Sequence, residues 1–294
     1  MILMSLGAMG NGYATPSANS VSDMLDQKYG WTTDSEQSLH QSFIGTSIVV
    51  GLAIGAFTGG KIIPYGRRRA MILTSFVGIV GVGLTLIENF YILLLGRIIF
   101  GFTAGSQGVI VVRMINENVP ENYFSTCLGI YSTAQNFAAL LCLCSGLILP
   151  KDDDAQGLED SEAWRYIFAF PFILYTSIIL GFTFVIRHDS PKFYVSRGER
   201  DLAMTAIHKV YKTNGSQYLA EQIYGEIEAK MNGANGGGDA QKATLREAYK
   251  TDERYVRASW VNFFAMIFHE LTAINIIMSY STTILEDILG DPAE

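Results

Sequence analysis

Residues 41–63 read QSFIGTSIVVGLAIGAFTGGKII, an apolar run broken by one charge, Lys61. A helix needs about 20 mostly apolar residues to cross the hydrocarbon of a bilayer, so this stretch predicts a membrane span. Gly51, Gly55 and Gly59 recur every fourth residue within it. That spacing places three glycines on one helix face, where a second helix can approach closely. Gly101 and Gly105 repeat the device in a later apolar run. Working outward on the same criterion, the chain reads as seven spans, at about 1–24, 41–63, 70–88, 91–115, 126–149, 165–187 and 258–285. The first has no positive charge ahead of its apolar run and no clear cleavage site, so it reads as a span rather than a signal peptide. The fold class expected is therefore an all-α membrane bundle.

Composition alone does not force that reading. The chain has 294 residues, 49% hydrophobic and 17% charged, values close to those of soluble domains. The distribution decides it, because the charges crowd into the segments between apolar runs. A net charge of −7 argues against nucleic acid as a partner. Cys127, Cys142 and Cys144 all lie in apolar stretches and read as small buried hydrophobes, with no metal-ligand spacing. No metal or cofactor site is expected. No phosphate-cradling loop or nucleophile pattern appears either, so the chain does not read as an enzyme.

Lys and Arg set the expected orientation. Arg67, Arg68 and Arg69 follow the second span, and a dozen basic residues from Arg187 to Arg257 separate the sixth from the seventh. The alternate loops are acidic, with Asp152, Asp153 and Asp154 in the longest. The N-terminus is accordingly expected in the cytosol. The long basic segment contains helical periodicity at 199–212 and 217–231, a flexible break at 232–239 (NGANGGGD), and a further short helix at 240–249. These amphipathic helices are expected to cap the cytosolic face.

Polar side chains in a span mark a protein-facing or water-facing side. Thr272, Asn275, Ser279 and Thr282 fall within one arc of the seventh span. Asn11, Thr15, Asn19 and Ser22 form a similar stripe in the first, and Ser132, Gln135 and Asn136 in the fifth. Amides and hydroxyls suit an uncharged polyhydroxy ligand, and hydrogen bonding between helices without a ligand is the alternative. His269 and Glu270 also lie inside the seventh span. An intramembrane glutamate points either to a functional proton or ligand site or to a structural ion pair.

Several motifs resemble the sugar porters of the major facilitator superfamily. GGKIIPYGRR, from Gly59 to Arg68, is similar to the family's loop G-x-x-x-D-R-x-G-R-R, with Ile63 and Pro64 where the family has Asp and Arg. Arg97, Gly101, Gly105, Glu117 and Pro120 follow its fourth-helix pattern, with Phe124 at the usual following Arg. Trp164-Arg165, Asp189-Ser190-Pro191-Lys192-Phe193 and ELTAINIIMSYSTT (270–283) resemble its sixth- and seventh-helix signatures. The family's seventh-helix glutamines fall at His269 and Glu270, its Asn at Asn275 and its fifth-helix Gln at Thr133. Proton-coupled members carry an Asp after Gly-Tyr in the first helix, where this chain has Ala14.

The resemblance implies a transporter of a sugar or similar small polar solute, working by alternating access and facilitative rather than proton-coupled. A transporter-like sensor, a seven-helix receptor and an organic-ion transporter are the rival classes. The expected parts are a six-helix half at 1–187, a cytosolic helical linker at 188–257, and one helix of an incomplete second half at 258–294. The family's twelve helices imply that the second half is supplied elsewhere, in a longer protein or a partner. Plasma and internal membranes are both open. The substrate-binding residues implied are Asn275, His269, Glu270, Thr272, Gln135 and Asn11. Arg67, Arg68, Arg97, Glu117 and Asp189 are implied to form a gating charge network. Without the family's loop Asp and post-helix Arg, that network is expected to latch weakly.

Overall fold

The computed structural model describes residues 2–119, 121–146, 163–211, 216–235 and 253–271. Every regular element among them is helical. The chain divides into two compact units, Met1–Phe193 and Tyr194–Glu294.

The first unit contains α1 (Ile2–Ala14), α2 (Ser22–Tyr29), α3 (Asp34–Ile62), α4 (Arg67–Thr85), α5 (Phe90–Asn118), α6 (Glu121–Gly146) and α7 (Ala163–Leu180). Five of its helical segments are long and apolar enough to cross a membrane: Ser35–Tyr65, Arg67–Thr85, Phe90–Asn118, Asn122–Gly146 and Trp164–Val185. They match the second to sixth expected spans. The first span differs, because α1 ends at Ala14 and a turn carrying Pro16 leads to a 3₁₀ turn and then α2. Proline has no N–H to continue the ladder and its ring crowds the preceding turn. The Asn11–Thr15–Asn19–Ser22 stripe is therefore split over three elements rather than laid along one helix.

Helix ends follow local chemistry. The Asn89 side chain accepts from the amides of Tyr91 and Ile92 and starts α5. α5 packs against both α3 and α4; α1 packs on α5, α6 and α7; and α4 also meets α7. The α3–α5 seam is the glycine face expected from the sequence. A Cβ at Gly51 would overlap the Ile98 carbonyl, one at Gly55 the Phe102 carbonyl, and ones at Gly101 and Gly105 the carbonyls of Ile48 and Leu52. Backbone therefore lies on backbone there.

Two apolar clusters fill the interior. One contains Met71, Ile110, Met114, Ile115, Ile178 and Phe182, and the other Tyr13, Met24, Leu25, Leu93, Trp164 and Phe168. Large apolar side chains such as Phe57, Phe76 and Phe184 remain exposed on the helices, as a lipid-facing surface requires. Cys127 and Cys142 are buried as expected; Cys144 is exposed instead, on the outward side of α6.

The second unit begins within α8 (Pro191–Ser196) and continues through α9 (Arg200–Val210), α10 (Gln217–Asn235) and α11 (Glu253–Leu271). α9 and α10 are the two amphipathic helices expected. They pack through Ile207, Ala220 and Ile227, and Arg200 pairs with Glu221 at 2.8 Å. The helix expected at 240–249 lies outside the described residues. The expected seventh span is helical through Leu271, and the remainder also lies outside the described residues.

Candidate functional site: a buried charge network and a solitary arginine

Three helix ends of the first unit converge on one carboxylate. Glu117, near the end of α5, has a side chain only 2% exposed. Arg67, the first residue of α4, donates to it twice, from Nε to Oε2 and from a terminal nitrogen to Oε1, both at 2.7 Å. Arg113, one turn earlier on α5, donates from Nε to Oε1 at 2.8 Å. Ser190, immediately before α8, donates from Oγ to Oε2 at 2.7 Å. Taking a carboxylate out of water costs several kcal/mol unless it is paired and hydrogen-bonded. The fork of Arg67, the second guanidinium and the hydroxyl offset that cost together.

Asp189 joins the same structure from below. Its Oδ1 accepts from the backbone N–H of Arg67 at 3.1 Å and its Oδ2 from that of Arg68 at 3.3 Å. These are amides of the first turn of α4, which have no partner within the helix, and the helix dipole favours an anion there. Gly66 makes the approach possible. Its φ is 115°, and a Cβ on it would stand 2.8 Å from Asp189 Oδ2. Arg68 turns the other way and donates from Nε to the Phe182 carbonyl at 2.6 Å, where α7 ends in a wide turn over Gly181–Val185. The Arg67 guanidinium also lies 5.1 Å from the Phe193 ring centre. Arg67, Arg68, Glu117 and Asp189 are thus one assembly.

Arg97 is not part of it. Twenty residues separate it from Glu117 on the same helix, or about 30 Å at 1.5 Å per residue. It is 1% exposed, donates to the Ile44 carbonyl at 3.0 Å and to Ser17 Oγ at 3.3 Å, and lies over the Phe168 ring. Among the described residues no carboxylate forms an ion pair with it. At this end of the bundle the ion pairs belong to Glu88, between α4 and α5. Its Oε1 meets Lys28 at 3.0 Å and Arg165 at 2.6 Å.

Of the expected solute-contacting residues, Asn11 and Gln135 share the α1–α6 seam. Asn11 is half-buried and hydrogen-bonded to Tyr131. Gln135, one turn further on α6, is also half-buried, and its carbonyl faces Gly12 closely. Thr133 is exposed and donates to the Gly129 carbonyl at 2.9 Å. His269 and Glu270 lie in the last turn of α11, while Thr272 and Asn275 lie outside the described residues. Two polar residues were not singled out from the sequence. Gln107 is fully buried and donates to Ser75 at 2.8 Å; its signal was an amide in an apolar run. Arg113 carried the four-residue spacing to Glu117 that marks helix neighbours.

Comparison with known proteins agrees with this architecture. The family model for sugar (and other) transporters matches residues 1–292. Hexose transporter 2 of Kluyveromyces lactis is 25% identical over 259 residues, covering 85% of this chain and 44% of that protein. Hexose transporter 1 of Plasmodium vivax (strain Brazil I) is 20% identical over 291 residues, covering 95% and 57%. The chain thus spans about half the length of the curated relatives it matches. Among solved structures, the proton:xylose symporter XylE bound to 6-bromo-6-deoxy-D-glucose superposes with a TM-score of 0.80 at 19% identity, covering 99% of this chain and 62% of that one. A partially occluded inward open form of XylE from E. coli gives 0.76 at 20% identity, covering 97% and 66%. The fold is a major facilitator helical bundle, and the chain belongs to the sugar (and other) transporter family.

Proposed function

We propose that this chain forms the first half, and the start of the second, of a carrier that moves a hexose or similar polyol across a membrane by alternating access. The observation that carries the reading is the match of residues 1–292 to the transporter family, together with relatives named as hexose transporters. The charge network at the Arg67 end is then the inner-side latch, and the basic residues following the second and sixth spans put that end and the N-terminus in the cytosol. Asn11, Gln135, Thr272 and Asn275 contribute to the solute path, with His269 and Glu270 tuning which solute is accepted.

Transport is facilitative in this reading. Ala14 stands where proton-coupled members carry an Asp. Arg97 meets a carbonyl and a hydroxyl rather than a titrating carboxylate. The test is uptake of a labelled hexose into proteoliposomes containing the full chain, with a pH dye inside. Saturable uptake without a solute-driven pH change is the expected result. Proton movement coupled to the solute would overturn the facilitative assignment. Hexose binding without flux would point to a sensor, and neither binding nor flux would overturn the sugar assignment.

A further inference from the structure

We propose that Arg113 is the positioning residue that holds Glu117 in the buried network, replacing a cation that the sequence lacks at Phe124, and that α6 is thereby left out of the latch. The inference deepens the reading of this network as an inner-side latch. The resemblance expects a second cation just past Pro120, at the start of α6, where this chain has Phe124. Phe124 packs instead against the apolar cluster of Met114 and Ile115. The second guanidinium comes from within α5. Arg113 Nε lies 2.8 Å from Glu117 Oε1, the oxygen that also takes the terminal nitrogen of Arg67.

The source of the cation changes what is tied to what. A cation on α6 would staple three helix starts and ends to Glu117 and include α6. Arg113 moves rigidly with Glu117, because both are on one helix a turn apart. The latch then joins α4 through Arg67, α5 through Glu117 and the segment after α7 through Ser190. None of the ion pairs among the described residues includes α6, which packs mainly on α1. Arg113 is 56% exposed at its side chain while Glu117 is 2% exposed. Its stem and Nε orient the carboxylate, while the solvated tip carries the second charge. Two donors on Oε1 and two on Oε2 fix the carboxylate plane, so that Arg67 and Ser190 both find their oxygens.

The experiment is backbone amide exchange followed by mass spectrometry, on the full chain in lipid nanodiscs. Arg113→Met keeps the stem and removes the charge. Exchange should rise roughly three- to tenfold in peptides covering 63–70 and 186–193, between the effect expected of an exposed pair and of a charge-assisted bond to a buried group. A peptide covering 84–92, at the Glu88 end, should not change. Arg113→Lys, with the charge but no fork, should fall between. Arg113→Met combined with Phe124→Arg should return the two segments to within about twofold of the native rate and slow exchange at 121–128, because α6 is now tied in. Unchanged exchange in Arg113→Met would overturn the proposal. So would an equal rise at 84–92, the mark of general destabilisation, or a double variant that restores nothing. Hexose uptake by the native chain is scored separately. If uptake is absent while the exchange pattern holds, the transport reading fails and the role of Arg113 stands.

Discussion

Glu117 receives four hydrogen bonds at one end of α5, whereas Arg97, about 30 Å along the same helix, has a carbonyl and a hydroxyl. Both groups are buried, and the difference lies in what the neighbouring helices bring. A carboxylate can be satisfied by guanidinium forks at helix ends. The Arg97 guanidinium, two turns into α5 at the other end, relies instead on oxygen dipoles and an aromatic face. The residue-scale prediction concerns Asn275, which lies outside the described residues and rests on its polar arc and on the resemblance. Its amide can both donate to and accept from a sugar hydroxyl. Removing one partner of a buried hydrogen bond costs about 1–3 kcal/mol, so Asn275→Ala should weaken hexose affinity roughly 5- to 150-fold with normal surface expression. Equilibrium binding to the purified full chain checks it, and an unaltered affinity would make the arc a packing feature. Arg67 and Glu117 were legible as two motif residues, and Arg113 carried a four-residue spacing to Glu117, but the donation from Ser190 was not legible, because a hydrogen-bond partner 73 residues away is chosen by helix packing.

The α3–α5 seam belongs to the scale of elements. Its glycines interlock through backbone, so a side chain there has nowhere to go. Gly55→Leu would drive carbon into the Phe102 carbonyl and the Ser106 amide. Overpacking of this kind costs about 1–3 kcal/mol even in cores that can relax, and two helix backbones relax little. The expected outcome is loss of monodisperse protein on size-exclusion chromatography, with Gly60→Leu, which meets nothing within 4 Å, as the control that elutes normally. The Glu88 clasp ties α2, the α4–α5 connection and α7. Lys28 hydrogen-bonds the Glu88 carboxyl and, with its own charge and then that of Arg165, lowers its pKa from the ordinary 4.5. A depressed carboxyl contributes stability above its unfolded value and loses it as the pH falls through the folded value. The protection of amides near residue 88, taken relative to the intrinsic exchange rate at each pH, should therefore fall below about pH 4.5 in the native chain. In Glu88→Gln that protection should be low already and should not change across the window; parallel protection curves would rule the clasp out. The glycine seam was legible because its signal is a spacing within one helix. Pro16 signals the break of α1, whereas the apolar length of 1–24 predicts one continuous span.

At the scale of the whole molecule, orientation is the property most open to test. In the proposed topology Arg67–Arg69 and residues 188–257 face the cytosol, and the sequon Asn214-Gly215-Ser216 lies among them. A glycan is added only on the opposite side of the membrane, so Asn214 should stay unmodified in cells. A shift in mass removed by glycosidase would reverse the topology and reopen the receptor reading. The sequence by itself determined that the chain is an all-helical membrane bundle, because apolar length and charge distribution are local properties that the bilayer reads one segment at a time. It also determined the glycine faces of α3 and α5 and the family, since both rest on short spacings, while the pairing of those two faces came from the packing. Only the tertiary structure decided that Ser190 joins Arg67 on Glu117, that Asp189 takes the first-turn amides of α4 instead, and that Arg97 stands apart. Those partnerships are set by how α4, α5 and the end of α7 pack, and no spacing along the chain encodes which buried charge will find which oxygen.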